Sequence, residues 1–251
     1  MQSYIEKFES FEKQIVYDFQ LGSGGIGDCI KFFMFILDVC IKNNERLYYK
    51  KNNILIEKYI KLKHSCMYID EHEIKHLNCF EIVRPCQYYN TFNTNYSVDI
   101  KDVFYFSDKV KINTTYIFPP NVEDYISIHL RLGDKYLETD NCFIACKNDE
   151  RVFSLENLYK LIDENHDKCI FFCCDNNNFK LNLQKKYNSL IITHCLVGHS
   201  SFSNTTEKEV LDAITEFYIL TNSKIIFGAS QSGFSQIASK FNNIPYIELP
   251  M

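Results

Sequence analysis

The sequence predicts an α/β fold of parallel sheets, and two observations carry this prediction. An apolar strand over residues 14–21 runs into a glycine-rich loop and then into a helical period over residues 28–43. From residue 125 to residue 249, short apolar strands alternate with helical patterns. Strands that are joined through helices pair in parallel, and the helices then cover both faces of the sheet.

The first half of the chain opens as a strand, a glycine loop and a helix, the first unit of a Rossmann-like sheet. Residues 46–50 and 53–57 fit short strands or helix edges, whereas residues 58–115 give no clear pattern. Phe118-Pro119-Pro120-Asn121 is the strongest break in the chain. We therefore predict one domain over residues 1–120 and a second over residues 121–251.

The second half gives a regular series of elements. Ser154 precedes a helical period as its N-cap, and Glu156 lies close to the capping-box position. The predicted strands cover residues 125–130, 169–174, 190–193, 224–228 and 245–249. The predicted helices cover residues 154–165, 179–187, 207–221 and 233–240.

Composition narrows the class of protein. The chain has 251 residues and a net charge of −5, which argues against a nucleic-acid binder that works by bulk electrostatics. We expect no transmembrane segment, because the longest apolar run, near residues 32–39, is too short to span a bilayer. The acidic N-terminus is unlike a signal peptide, so a cytoplasmic location is expected, with the 11 cysteines as reduced thiols.

Glycines in the first half form a candidate ligand loop. In Gly22-Ser-Gly24-Gly25-Ile-Gly27-Asp28, the residues Gly24, Gly25 and Gly27 allow close approach of a ligand to the backbone. A tight turn between strand and helix explains the same pattern. Asp28 can complement the helix dipole or act as a general base.

A second candidate segment is Ile126-Ser-Ile-His129-Leu-Arg131-Leu-Gly133-Asp134. Alternation in a strand turns His129 and Arg131 to one side, so both can reach one ligand. The planar guanidinium of Arg131 fits a phosphate group. The structural alternative is an ion pair between Arg131 and Asp134 at the strand end.

A third candidate segment turns from a strand into a helix through small residues. Its hydroxyls and the N–H groups at the helix start favour an anion, whereas ordinary capping by Ser230 or Ser232 is the alternative. The candidate residues are Ser230, Ser232, Gly233, Phe234 and Ser235.

These segments, in this order, resemble the fucosyltransferase superfamily of α1,2-, α1,6- and protein O-fucosyltransferases. His129-Leu-Arg131-Leu-Gly133-Asp134 is similar to the family's His-x-Arg-Arg-x-Asp peptide, and Gly24-Gly25-Ile-Gly27-Asp28 to its Gly-Gly-x-Gly-Asn loop. Ser232-Gly-Phe-Ser-Gln-Ile-Ala238 resembles its Ser-x-Phe-Ser-x-x-Ala peptide. Phe171-Phe-Cys-Cys-Asp175 resembles its strand that ends in an acidic residue near the guanine.

The resemblance implies a GT-B-like α/β fold, with two Rossmann-like parallel-sheet domains facing a cleft, the first on the acceptor side. It implies an inverting, metal-independent transfer of a sugar, fucose first, from a GDP-sugar, without a cofactor. Arg131 would stabilise the diphosphate leaving group, and Asp28, or secondly Glu138, would be the base. The acceptor would be a glycan, a lipid or a protein. The expected donor-binding residues are Gly24, Gly25, Gly27, His129, Arg131, Asp134, Asp175, Ser230, Ser232, Gly233, Phe234 and Ser235.

Two departures from the family pattern keep other hypotheses open. Leu132 stands where the family has a second Arg, which leaves room for an inactive module that binds glycan or nucleotide. Asp28 in place of Asn resembles the Gly-Leu-Gly-Asp loop of heptosyltransferases, and so a different donor sugar. Finally, His72-Glu73-Ile-Lys-His76 matches the zinc-hydrolase pattern HExxH.

Overall fold

The computed structural model describes residues 1–87, 94–136, 149–200, 203–230 and 232–249. The chain forms two compact units, Met1–Ser107 and Asp108–Met251. The division precedes the Pro119-Pro120 break because helix Asp108–Ile117 packs with the second unit, where Asn113 donates to Asp212 at 3.0 Å. In the described ranges, no helix is both long and apolar enough to cross a membrane.

The first unit is built on a four-stranded parallel sheet. The strands of this unit, in the sheet and outside it, are β1 (Gln14–Tyr17), β2 (Arg46–Lys50), β3 (Ile60–Leu62), β4 (Tyr68–Ile69), β5 (Phe80–Val83) and β6 (Phe104–Phe106). Its helices are α1 (Gln2–Glu6), α2 (Ile26–Asn43), α3 (Leu55–Tyr59), α4 (Glu71–Ile74) and α5 (Ile100–Val103). The sheet has the order β4-β2-β1-β5, and β3 and β6 form a separate antiparallel pair.

The second unit contains another four-stranded parallel sheet. Its helices are α6 (Asp108–Ile117), α7 (Leu155–Glu164), α8 (Asn177–Lys186), α9 (Glu207–Leu220) and α10 (Gly233–Phe241). Its strands are β7 (Ile126–Leu130), β8 (Ile170–Cys174), β9 (Ile226–Gly228) and β10 (Tyr246–Glu248). The sheet order is β10-β9-β7-β8, and every pairing is parallel, as the alternation of strands and helices predicted.

The two faces of this second sheet differ in polarity. One face is an apolar core, in which Leu130 and Phe172 pack with Leu158 of α7 and Leu183 of α8. The opposite face places polar side chains of β7 and β8 against α9 and α10. The alternation of β7 therefore separates a stabilising face from a face that carries polar chemistry.

A buried ion pair fixes α9 to this polar face. Lys180 of α8 and Glu216 of α9 are 0% and 2% exposed, and their Nζ and Oε1 atoms lie 2.8 Å apart. The thiol of Cys173 in β8 donates to the other carboxylate oxygen at 3.2 Å, and the Thr193 hydroxyl donates to the same oxygen as Lys180. Burial alone would lower the pKa of Lys180, but the Glu216 carboxylate outweighs that effect and raises it.

Most element predictions in the second half are confirmed, including the Ser154 cap, whose hydroxyl accepts the Asn157 N–H at 3.2 Å. Two strand predictions are wrong in extent. The first strand ends at Tyr17, because the chain then enters a loop in which Gly22 and Gly24 have φ angles of 86° and 122°. Residues 190–193 form a single bridge through Ile191. The described cysteines are free thiols.

The buried ion pair gives a stability prediction. Glu216→Gln leaves the Lys180 ammonium buried without its counter-charge and should lower the free energy of unfolding by about 3–5 kcal/mol. The double variant Lys180→Met/Glu216→Leu should keep wild-type stability or exceed it. Urea unfolding measures both, and Lys208→Met, which breaks a pair with a 77% exposed lysine on the same helix, is the control. A double variant as unstable as the single one contradicts this account.

Candidate functional site

The candidate site lies beyond the carboxyl end of β7. His129 pairs with Cys173 of β8 and with Gly228 of β9. Just past the strand, the Arg131 backbone N–H donates to Ser230 Oγ at 2.6 Å. After β7 the chain forms β8 on one side of that strand, and later it forms β9 on the other side. The direction in which strands are added to the sheet therefore reverses between β7 and β9. Such a switch point is where open parallel sheets bind ligands.

Asp175 fixes the path of the chain after β7. Its Oδ1 accepts the Leu132 N–H at 2.7 Å, and its Oδ2 accepts the Gly133 N–H at 3.0 Å. The same Oδ2 accepts a bond from the Arg131 guanidinium at 2.6 Å. We predicted that the Asp175 carboxylate contacts the guanine of the donor. In the structure it binds the backbone and the side chain of the arginine loop, and its contact with a guanine stays a prediction.

Arg131 lies among three carboxylates. Besides Asp175, its guanidinium pairs with Asp134 and lies 3.7 Å from Asp149. The ion pair with Asp134, expected as the structural alternative, is therefore present. The arginine side chain remains 18% exposed, while Leu132 is buried in the apolar core of the sheet. Of the two positions at which the family peptide has arginines, 131 and 132, only the first carries a cation in this chain.

Gly133 allows the loop to close over residue 149. Its φ angle is +113°, a left-handed conformation that favours glycine, and a Cβ there would lie 2.2 Å from the Asp149 carbonyl oxygen. The Asp134 and Lys135 N–H groups both donate to Asp149, at 3.2 Å. Sequence reasoning missed Asp149, because its link to the arginine depends on this turn and on no spacing in the chain.

His129 is buried and neutral. Its ring stacks on Phe234 with centroids 5.3 Å apart, and Nδ1 lies 3.1 Å from Ser235 Oγ. Burial, reinforced by the charge of Arg131, lowers the pKa of His129 to about 3. The imidazole therefore carries no charge near neutral pH, and its contact with a nucleotide stays a prediction.

The start of α10 completes the candidate site at the end of β7. Ser232 is the N-cap, and its Oγ accepts the Phe234 N–H at 3.3 Å, which confirms the capping alternative. Ser235 Oγ lies 3.4 Å from the Tyr246 hydroxyl. Tyr246, which sequence reasoning missed, reaches this point over Gly228, where an added Cβ would lie 1.8 Å from its hydroxyl oxygen. The open space beside Gly233 leaves this helix start accessible on one side.

Asp28 caps the helix that follows the glycine loop. Its Oδ2 accepts the Gly25 N–H at 3.0 Å, and its Oδ1 lies 2.8 Å from Lys31 Nζ. A Cβ at Gly24, where φ is +122°, would lie 2.6 Å from Oδ2, so this carboxylate occupies the space that the glycine leaves. Gly27 is buried in the first turn of α2. The structural role of Asp28 is thus established, and its role as a base stays a prediction.

The zinc-hydrolase hypothesis does not fit the structure. Helix α4 ends at Ile74, so His76 lies outside it and the two histidines do not share a helix face. The Glu73 carboxylate accepts the Asp70 N–H at 2.7 Å in a capping box. The described residues contain no group of three side chains able to hold a metal ion. Glu138, the second candidate base, lies outside the described residues.

Comparison with solved structures gives the fold. The NodZ α1,6-fucosyltransferase soaked with GDP-fucose matches with a TM-score of 0.58 at 9% identity, over 95% of this chain and 94% of that one. A mutant of Arabidopsis thaliana FUT1 in complex with GDP matches with a TM-score of 0.58 at 9% identity, over 98% of this chain and 73% of the other. POFUT1 in its apo form matches with a TM-score of 0.52 at 8% identity, over 96% and 98%.

No protein-family model and no curated protein sequence matches the chain. The likeness is therefore one of architecture, and it agrees with the motifs at the ends of β7 and β9. The chain is an α/β protein of parallel sheets with a GT-B-like fold, which it shares with NodZ, FUT1 and POFUT1.

Proposed function

We propose that this chain is a glycosyltransferase that takes its sugar from a GDP-sugar, with GDP-fucose as the first candidate. The observation that carries the proposal is the placement of Arg131, His129 and Ser235 together at the switch point of the second sheet. Among proteins of the same fold, NodZ was soaked with GDP-fucose and FUT1 was solved in complex with GDP. The second unit is therefore the proposed donor-binding unit, and the first is proposed to bind the acceptor.

Arg131 is the proposed group that stabilises the leaving diphosphate. Negative charge grows on the diphosphate as the sugar departs, and a fixed cation near it lowers the barrier. Asp134 and Asp175 hold the guanidinium in place before the donor arrives, so little reorganisation is needed during transfer. No metal is required in this proposal, because the arginine and the start of α10 supply the positive potential.

The neutral His129 ring suits hydrogen bonding to the nucleoside or diphosphate without adding charge. Ser230, Ser232 and the backbone at Gly233 and Phe234 are the proposed contacts to the diphosphate and ribose. Asp28, or secondly Glu138, is the proposed base that removes the proton of the acceptor hydroxyl, which would then attack the anomeric carbon with inversion. A heptosyltransferase-like donor and an inactive binding module remain the alternatives.

Removing the cation tests the donor site. Arg131→Ala should weaken GDP binding about 10- to 100-fold, since a hydrogen bond to a charged group contributes about 1.5–3 kcal/mol. Transfer from GDP-fucose should be lost. Thermal shift with GDP, UDP and ADP measures the binding, because a ligand of the folded state raises the melting temperature.

The matched control is Lys224→Ala, which removes a cation that pairs with Asp124 at 2.9 Å, before β7 begins at the opposite end of the strand. It should keep GDP-dependent stabilisation. Equal loss in both variants would indicate a general charge effect. Stabilisation of the wild type by UDP in preference to GDP would favour another donor, and GDP binding without any turnover would favour the inactive module.

Asp28→Asn tests the base. Asparagine caps helices as well as aspartate does and can still accept the Gly25 N–H, so the loop and donor affinity should be kept. If Asp28 is the base, kcat should fall about 10²- to 10⁴-fold. Steady-state kinetics with GDP-fucose, together with a melting curve, separates the two roles. Unchanged kcat would exclude Asp28 as the base and favour Glu138.

A further inference from the structure

Two guanidinium groups converge on one carboxylate beside the candidate donor site. Asp149 Oδ1 lies 2.9 Å from Nε of Arg151, and its Oδ2 lies 3.7 Å from Nη2 of Arg131. The Asp149 side chain is 19% exposed, so solvent reaches the point at which the two arginines converge. A carboxylate between two arginine forks occupies the position in which such forks hold a phosphate group.

Backbone contacts fix this arrangement against the loop that follows β7. The Arg151 N–H donates to the Leu132 carbonyl oxygen at 2.8 Å, and the Asp134 N–H donates to Asp149 Oδ2 at 3.2 Å. The side chain of Leu132 packs in the apolar core of the sheet. Position 132 therefore supplies no cation to the site, but Arg151 is held beside it.

The charges around Arg131 leave it unable to offset a diphosphate alone. Asp134 and Asp175 both pair with its guanidinium, so one cation faces two carboxylates. Lys135, the next cation along the loop, pairs with Glu150 at 2.8 Å. A diphosphate that approached these groups alone would add negative charge to an existing excess, which Coulomb repulsion opposes. The site therefore requires a further cation.

Arg151 has the exposure and the free donors for this role. Its side chain is 44% exposed, and within the described part of the chain its guanidinium makes one contact, through Nε to Asp149. Both Nη groups can therefore donate to a ligand. Phosphate oxygens in the place of the Asp149 carboxylate would receive hydrogen bonds from Arg131 and from Arg151 together.

We propose that Arg131 and Arg151 form a two-arginine subsite for one phosphoryl group of the donor, and that the Asp149 carboxylate occupies this subsite until the diphosphate displaces it. A diphosphate carries more charge and more acceptor oxygens than a carboxylate, so it can displace Asp149. The competition lowers the affinity for the donor, because only the vacated subsite binds it. This inference rests on the proposed transferase function and adds a second cation and an internal competitor to its donor site.

The test measures the binding of GDP and of inorganic pyrophosphate by isothermal titration calorimetry. Arg151→Met should weaken the binding of both anions about tenfold or more, since hydrogen bonds from a charged donor are lost. Asp149→Asn should tighten the binding of both at least about threefold, because the competing charge is removed. The amide oxygen of asparagine can still accept the Asp134 N–H, so the loop should be kept.

Two control variants change charge without touching the subsite. Glu150→Gln removes the same charge as Asp149→Asn at the neighbouring residue, where the carboxylate pairs with Lys135. Lys224→Ala removes a cation at the opposite end of β7. Both control variants should bind GDP and pyrophosphate as wild type does.

The double variant Asp149→Asn/Arg151→Met separates a direct contact from an indirect one. If Arg151 contacts the phosphate, the double variant should bind GDP about tenfold more weakly than Asp149→Asn alone. Equal affinity of these two variants would mean that Arg151 acts only by drawing Asp149 away from Arg131, and it would overturn the two-arginine subsite.

Other outcomes separate this inference from the proposed function. Wild-type GDP affinity in Arg151→Met, or no gain in Asp149→Asn, would overturn the inference and leave the proposed function standing. An equal gain in Glu150→Gln would also overturn the inference, because any lost negative charge would then act alike. A protein that ignores GDP but binds pyrophosphate through both arginines would instead overturn the proposed function. Melting curves should show all variants folded, since Arg151 and Asp149 are partly exposed.

Discussion

The candidate donor site depends on the hydrogen bonds that the Asp175 carboxylate accepts from the chain after β7. Asp175 binds the N–H groups of two successive residues and the guanidinium of the residue before them. The chain must therefore turn back over the end of β8, which sends Leu132 into the core and puts Gly133 in a left-handed conformation. Each backbone N–H left unpaired by loss of this carboxylate would cost about 1–3 kcal/mol.

The same loop sets an electrostatic condition for a diphosphate ligand. Three carboxylates share Arg131, so phosphate oxygens must take the place of at least one of them. Asp149 is the most readily released, since it is the farthest of the three, at 3.7 Å, and has Arg151 as a second partner at 2.9 Å. Asp175 cannot leave without freeing two backbone donors. Of the three carboxylates, Asp175 thus holds the backbone of the loop as well as the arginine, and Asp149 has the longest contact with the guanidinium.

Local sequence patterns predicted those features that depend on residues close together in the chain, such as helix positions and helix caps. Apolar spacing placed α2 to within two residues of its start, and capping chemistry located the starts of α7 and α10. The family resemblance grouped His129 with Ser235, and the structure places His129 Nδ1 3.1 Å from Ser235 Oγ. Contacts between distant segments, such as Lys180 with Glu216, were not predictable, because packing and not spacing decides them. The HExxH pattern did not predict a metal site correctly, because the Glu73 carboxylate accepts the Asp70 N–H in a helix cap.

The two switch points place opposite charges on their central strands. In the second unit an arginine follows the central strand and a carboxylate follows its neighbour. In the first unit a carboxylate, Asp18, follows the central strand and an arginine, Arg84, follows its neighbour. A partly exposed cation held by carboxylates suits a diphosphate, whose charge it offsets. Each unit thus has a switch point at the carboxyl edge of its sheet, with the positions of the carboxylate and the arginine exchanged.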